Sequence, residues 1–193
     1  MIRRIYDWTM AKASHPNAMW FLAAVAFIEA SVFPIPPDVL MIPMILATPW
    51  RAWKIALVAT LASVAGGCLG YLIGYGFMDA IGTPILQFYG KADSFNELAH
   101  RFNEMGGWAV LVAGVTPFPY KVITIFSGAT HLSPPLFLGV SVLARALRFF
   151  LVAALLWKFG APIKIFIERW LGLLFTLFVV LLIGGFYALK FIG

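Results

Sequence analysis

Five apolar runs, two of them cut in the middle by proline clusters, leave this chain very few ways to fold. The first covers about residues 18–47 and is broken by Phe33-Pro34-Ile35-Pro36-Pro37-Asp38, and the second covers about 52–78. The third, about 108–129, is broken by Thr116-Pro117-Phe118-Pro119-Tyr120-Lys121; two more cover about 136–157 and 170–189. About 20 apolar residues cross a bilayer as a helix, so the second, fourth and fifth runs read as transmembrane helices. Composition agrees: 62% of residues are apolar and 11% charged, against about 25% charged in soluble domains. A soluble fold of 193 residues has too little interior to hide so much apolar surface. The length suits a single membrane domain.

Proline removes a backbone donor and disfavours helix at the residue before it, so P-x-P-P ends a helix. Non-helical backbone at membrane depth survives only where protein or a water-filled cavity covers it. Each broken run is therefore one kinked span or a re-entrant hairpin that enters and leaves on the same side. Charge asymmetry favours the hairpins. With both runs re-entrant, Arg3, Arg4, Lys12, Arg51, Lys54, Lys158, Lys164 and Arg169 all fall inside. The connector 79–107 then lies outside, holding Lys91 and Arg101 against Asp79, Asp93, Glu97 and Glu104. That distribution obeys the positive-inside rule.

The net charge of +6 comes from basic residues scattered singly and in pairs at the ends of apolar runs, which sets orientation and argues against nucleic acid as a partner. The tryptophans mark the same limits: Trp20, Trp50, Trp53, Trp108, Trp157 and Trp170 sit at run ends, where an amphipathic ring favours the membrane interface. Trp8 lies in an opening stretch read as an interfacial segment, with no signal-peptide cleavage site. Cys68 stands alone and His15, His100 and His131 are far apart, so neither an internal disulfide nor a metal site is expected, and no cofactor.

A shift of 83 positions lays Pro34 on Pro117, Pro36 on Pro119, Asp38 on Lys121, Val39 on Val122 and Ile42 on Ile125. In the topology above the two copies have opposite orientation, a recurring transporter design. The expected architecture is an all-α integral membrane protein with two opposed re-entrant helical hairpins plus three transmembrane helices. Its parts are an interfacial segment (1–17), a first repeat (18–78), the connector (79–107), a second repeat (108–160), and a C-terminal amphipathic segment and helix (161–193).

The candidate chemistry lies with charges at membrane depth. Glu29 and Asp38 are the acids of the first run, Lys121 the charge of the third, and Arg145 and Arg148 those of the fourth. Such a charge costs about 2.5–3.5 kcal/mol even on lenient insertion scales, so it faces a partner or water. Two readings follow: structural ion pairs, or a polar cavity that binds an anionic headgroup and moves protons. Arg145 and Arg148, three apart, share a helix face and suit a phosphate clamp. Lys121 adds a point charge, or snorkels to the interface. Glu29 and Asp38 suit proton carriage. Gly66, Gly70 and Gly74, four apart, mark close helix packing. There is no G-x-S-x-G, H-E-x-x-H or phosphate-cradling glycine loop, so an enzyme is not expected.

These residues resemble the DedA family of the VTT (SNARE-associated Golgi protein) superfamily, its short YqaA-like branch in particular. The resemblance rests on Glu29 with Phe33-Pro34-Ile35-Pro36-Pro37-Asp38, on the glycine-spaced stretch Gly66 to Tyr75, on Thr116 to Lys121, and on Ser127-Gly128-Ala129 with Phe137, spanning about 27–160. It implies an inner-membrane protein with opposed hairpins around a polar cavity, tied to membrane homeostasis and proton motive force, moving polyprenyl phosphate or phospholipids. The expected partners are therefore membrane lipids, undecaprenyl phosphate among them, and protons, with oligomers allowed. A small-solute/proton exchanger and a non-transporting scaffold are the alternatives. The chain departs from the family at Gly114, where many members carry an arginine, and at Lys121, one place late; Arg145 and Arg148 are then the candidates to supply that charge.

Overall fold

A computed structural model describes residues 17–31, 36–116, 119–160 and 162. The interfacial segment up to residue 16, Pro34, Pro117, the fifth run and nearly all of the C-terminal segment lie outside the described residues. Every regular element described is helical: α1 (Ala18–Ser31), α2 (Asp38–Ala47), a 3₁₀ turn (Pro49–Arg51), α3 (Ala52–Phe77), a π turn (Met78–Gly82), α4 (Thr83–Phe88), α5 (Ala92–Met105), α6 (Gly107–Val115), α7 (Tyr120–Ala129) and α8 (Pro134–Phe159).

Among the described residues, two helical runs are long and apolar enough to cross a membrane: Pro49–Phe88, which contains α3, and α8. At 1.5 Å per residue, α8 measures about 39 Å, beyond the roughly 30 Å hydrocarbon core. Pro134 and Pro135 start it where a missing N–H costs nothing, and Gly160 ends it at a positive φ of 63°, which glycine adopts freely. The connector opens in helix, because the run that contains α3 carries on through the π turn and α4 to Phe88. Asp79 is the one charge before Lys91, so the helix continues. The π turn absorbs Pro84, which has no N–H to bond back one turn, and the Thr83 hydroxyl donates to the Met78 carbonyl at 3.0 Å.

The helix α3 is the central post, with α1, α7 and α8 packed on it; α6 and α2 pack on α8. The contact is made through glycine. A Cβ on Gly66 would overlap the Phe27 carbonyl, one on Gly74 the Ile125 carbonyl, and one on Gly128 the Tyr71 carbonyl. Backbone thus meets backbone at both half-helix contacts, the geometry that small residues permit inside membranes. Order along α3 is informative. Phe27 sits at Gly66 and Ala30 at Gly70, so α1 runs parallel to α3; Tyr120 sits at Gly67 and Ile125 at Gly74, so α7 does too. In the opposite sense, Phe137 packs tilted against Tyr71 while Phe150 and Trp157 meet Trp53, so α8 is antiparallel.

Two apolar clusters cap the two ends. Leu22, Met41, Ile45, Ile55, Phe149 and Leu156 fill one, and Ala30, Tyr71, Val110, Tyr120, Leu132 and Phe137 the other. The outer face is apolar too, with Leu61, Leu72, Leu143, Leu147 and Leu151 exposed, as a lipid-facing surface requires. Trp20, Trp50, Trp53, Trp108 and Trp157 are exposed at helix ends. The α7–α8 turn is pinned three times: the Tyr71 hydroxyl donates to the Leu132 carbonyl at 2.6 Å, Asn103 to the Thr130 carbonyl at 2.8 Å, and His131 pairs with Asp79 at 3.2 Å.

The helix limits repeat with their own spacing. Asp38 and Tyr120, Ala47 and Ala129, Ala52 and Pro134, Phe77 and Phe159 are each 82 positions apart. The proline pairs align at 83, so the helices stand one residue out of step with the motif that breaks them. Asp38 therefore corresponds in position to Tyr120 rather than to Lys121.

The glycine contacts generate a prediction. Gly66→Val or Gly74→Val should destabilise by about 3 kcal/mol or more, because a backbone cannot give way as a side chain can. Gly76→Ala, where a Cβ meets nothing within 4 Å, should be neutral or stabilising by up to about 1 kcal/mol. Thermal melting in detergent, followed by tryptophan fluorescence, separates the two classes; equal melting temperatures would refute the backbone contacts.

Candidate functional site: two ion pairs between broken helices

Arg145 and Arg148 stand at the centre of α8, with eleven of its residues on either side. Their shared face turns toward the breaks in both discontinuous segments. Arg145 Nη2 meets Glu29 Oε2 at 3.1 Å, with side chains only 2% and 15% exposed. Arg148 Nη2 meets Asp38 Oδ2 at 2.8 Å, at 11% and 6% exposure. The other arm of Arg148 donates through Nη1 to the Thr116 carbonyl at 2.7 Å.

Each partner is placed by a helix end. Glu29 lies in the last turn of α1, and Asp38 opens α2, where the free N–H groups and dipole of a helix start favour a carboxylate. Pro36 and Pro37 supply the carbonyls that accept from Val39, Leu40 and Met41, and the Pro119 carbonyl accepts from Val122. The prolines thus begin the half-helices as well as ending the preceding ones. Pro43 sits inside α2, so proline alone is no break signal. Thr116 follows the last residue of α6, and a cation at a helix C-terminus is favourable. Arg148 therefore joins the start of α2 to the end of α6, one element from each broken run.

The Arg145 guanidinium also lies over the Tyr120 ring, 4.7 Å from its centroid, and over the Phe149 ring at 4.5 Å. Such contact stabilises a desolvated cation by about 2 kcal/mol. Gly114 makes room for this. A Cβ there would stand 2.6 Å from the Ala144 Cβ, so α8 occupies the space a larger residue at 114 would need. The cations reach the acids from α8 instead.

Lys121, second residue of α7, is half-buried and has no ion-pair partner among the described residues, though it acts electrostatically on Glu29. Sequence reasoning missed Tyr120 and the Thr116 carbonyl. The 82-residue spacing points to Tyr120, but proline alignment hides it. The carbonyl leaves no trace in side-chain chemistry.

Removing one partner of a buried pair strands the other charge at a cost of about 3–5 kcal/mol. Arg148→Met should destabilise by that order, while Arg148→Met with Asp38→Leu should recover most of the loss. Unfolding in detergent measures both; equal stability of the single and double variants would refute the pairing.

Comparison with known proteins places these features in a family. The family model described as the VTT domain matches residues 35–158. An uncharacterized protein of Haemophilus influenzae is 40% identical over 168 residues, covering 85% of this chain and 87% of the relative. An uncharacterized protein of Histophilus somni matches with the same identity and coverage. No solved structure matches the chain. The domain model covers both proline breaks from Ile35 onward, α3 and nearly all of α8. With its apolar helices and its paired charges at mid-helix, the chain is a membrane protein that belongs to the VTT domain family.

Proposed function

We propose that the chain is a transporter or scramblase for an anionic lipid in the bacterial inner membrane, linked to protons, with undecaprenyl phosphate and phospholipids as candidate substrates. The observation that carries this reading is the convergence of Glu29, Asp38, Arg145 and Arg148, from both halves of the chain, at the middle of α8. Protons on the carboxylates release the arginines, and a freed guanidinium pair offers forked donors to a phosphate. Lys121 adds attraction without being tied up. Phosphate and carboxylate thus compete for the same two cations, which couples lipid entry to proton movement.

Opposed re-entrant hairpins fit this reading. The first broken run starts and ends beside the N-terminal part of α3: Leu22 and Ile45 share a cluster with Ile55. The second starts and ends at the other end of α3. Gly107 packs on Leu136 and Val140 near the start of α8, and Gly128 on Tyr71. Each run would then leave the membrane on the side it entered, with its break at mid-depth.

A purely structural role for the pairs is the second reading, favoured by each carboxylate already having an arginine. Reconstitution separates the two. The purified chain goes into proteoliposomes with labelled polyprenyl phosphate or labelled phospholipid, with and without a pH gradient. Lipid should cross faster with protein than without, and Glu29→Gln, Asp38→Asn and Arg145→Ala should each slow it by about tenfold or more while still inserting. Full translocation by all three variants would remove these residues from the mechanism; no translocation by the parent protein would favour the structural role. Proton flux driven by a small solute without lipid movement would indicate an exchanger.

A further inference from the structure

Ser63, Tyr120 and Ser141 are fully buried; the Tyr120 and Ser141 hydroxyls face each other and meet no other partner, and the Ser63 hydroxyl has none. Arg145 Nε, also buried, finds none either. A Cβ on Gly67 would stand 3.4 Å from the Tyr120 hydroxyl, and Ser63 lies one turn before Gly67 on the same face of α3. Ser141 lies one turn before Arg145 on α8, beside the Tyr120 hydroxyl, and Arg145 covers the Tyr120 ring. Tyr120, Ser141 and Arg145 thus cluster beside the Glu29–Arg145 pair, and Ser63 lies one turn along α3 from the glycine that faces the Tyr120 hydroxyl.

A buried hydroxyl without a partner costs about 1–3 kcal/mol, and proteins hold few of them. Three hydroxyls and a guanidinium N–H together match what a water molecule needs: two to four partners, including acceptors and donors. We infer that Ser63, Tyr120 and Ser141 form a binding site for internal water that solvates Arg145 when Glu29 is protonated. The groups facing Glu29 are Arg145 and Arg148 from α8, Asp38 from α2 and Lys121 from α7. A neutral Glu29 leaves Arg145, the most enclosed of these cations, without its counter-charge and with a weaker acceptor. Hydroxyls linked by water supply a further acceptor and need no charge of their own. Tyr120 is thus a positioning residue for Arg145, acting through water and through its ring.

This inference rests on Glu29 as the proton carrier of the proposed function, but its test needs no lipid. Melting of the full chain in detergent is compared for Tyr120→Phe, Glu29→Gln and the double variant. Glu29→Gln imitates the neutral carboxyl, and Tyr120→Phe keeps the ring over Arg145. The expected result is that Tyr120→Phe alone lowers the melting temperature by about 2–6 °C. The double variant should fall further than the two single losses combined, by about 3 °C or more. Additive losses, or an unchanged or raised melting temperature for Tyr120→Phe, would overturn the proposal, since a dry hydroxyl is better removed. Should the double variant fail to accumulate, Ser141→Ala with Glu29→Gln makes the same comparison with a smaller change. Additive melting with lipid transport intact removes the water site alone; synergy with no transport removes the lipid reading alone.

Discussion

A guanidinium buried at the middle of an apolar helix has no neutral form to retreat to, and that constraint organises this protein. Arginine stays charged, so Arg145 and Arg148 must be matched by acceptors that the chain itself delivers to mid-depth. Straight helices cannot deliver them all. A helix interior has used its carbonyls and N–H groups, whereas a helix end has not. Breaking two helices with proline brings ends inward: Asp38 arrives on a fresh N-terminus and the Thr116 carbonyl on a fresh C-terminus, both to Arg148. The breaks and the charges are two sides of one arrangement.

Such breaks need cover, and α3 provides it by having almost no side chain on one track. The turns at Gly66, Gly70 and Gly74 receive Phe27, Ala30 and Thr124, and Ile125 in order. The Thr124 hydroxyl donates to the Ala30 carbonyl at 3.2 Å, so the end of one half-helix is stitched to the middle of another against this track. Tight backbone contact keeps lipid away from exposed peptide groups, which hydrocarbon could not satisfy. The paired arginines lie one helix away, on α8, and close the other side.

Much of this was readable from residue order. The proline clusters located both breaks, the tryptophans located helix ends, and the glycine spacing located the contact face of α3. The rarity of charge within apolar runs singled out Glu29, Asp38, Arg145 and Arg148. Which acid meets which arginine was not readable, because the pairs join residues 116 and 110 positions apart and depend on helix depth. The repeat shows in the prolines at a spacing of 83 and in the helix limits at 82, since prolines mark where a helix stops and the limits depend on where hydrogen bonding resumes. The helix running on past Met78 was not readable, because Gly82 and Pro84 disfavour a helix interior. Tyr120 stands in the sequence only as one member of the run from Thr116 to Lys121, and its neighbours in the fold give it a part.

The equal lengths of α8 on either side of its arginines have an electrical meaning. Moving one elementary charge across a whole membrane changes its energy by about 2.3 kcal/mol per 100 mV. A site halfway along a spanning helix sits near half of that drop from both faces, at about 1.2 kcal/mol per 100 mV. Under the proposed transport function, with α8 across the bilayer, voltage would weigh on an anion or proton reaching Arg145 and Arg148 with nearly the same magnitude from either face.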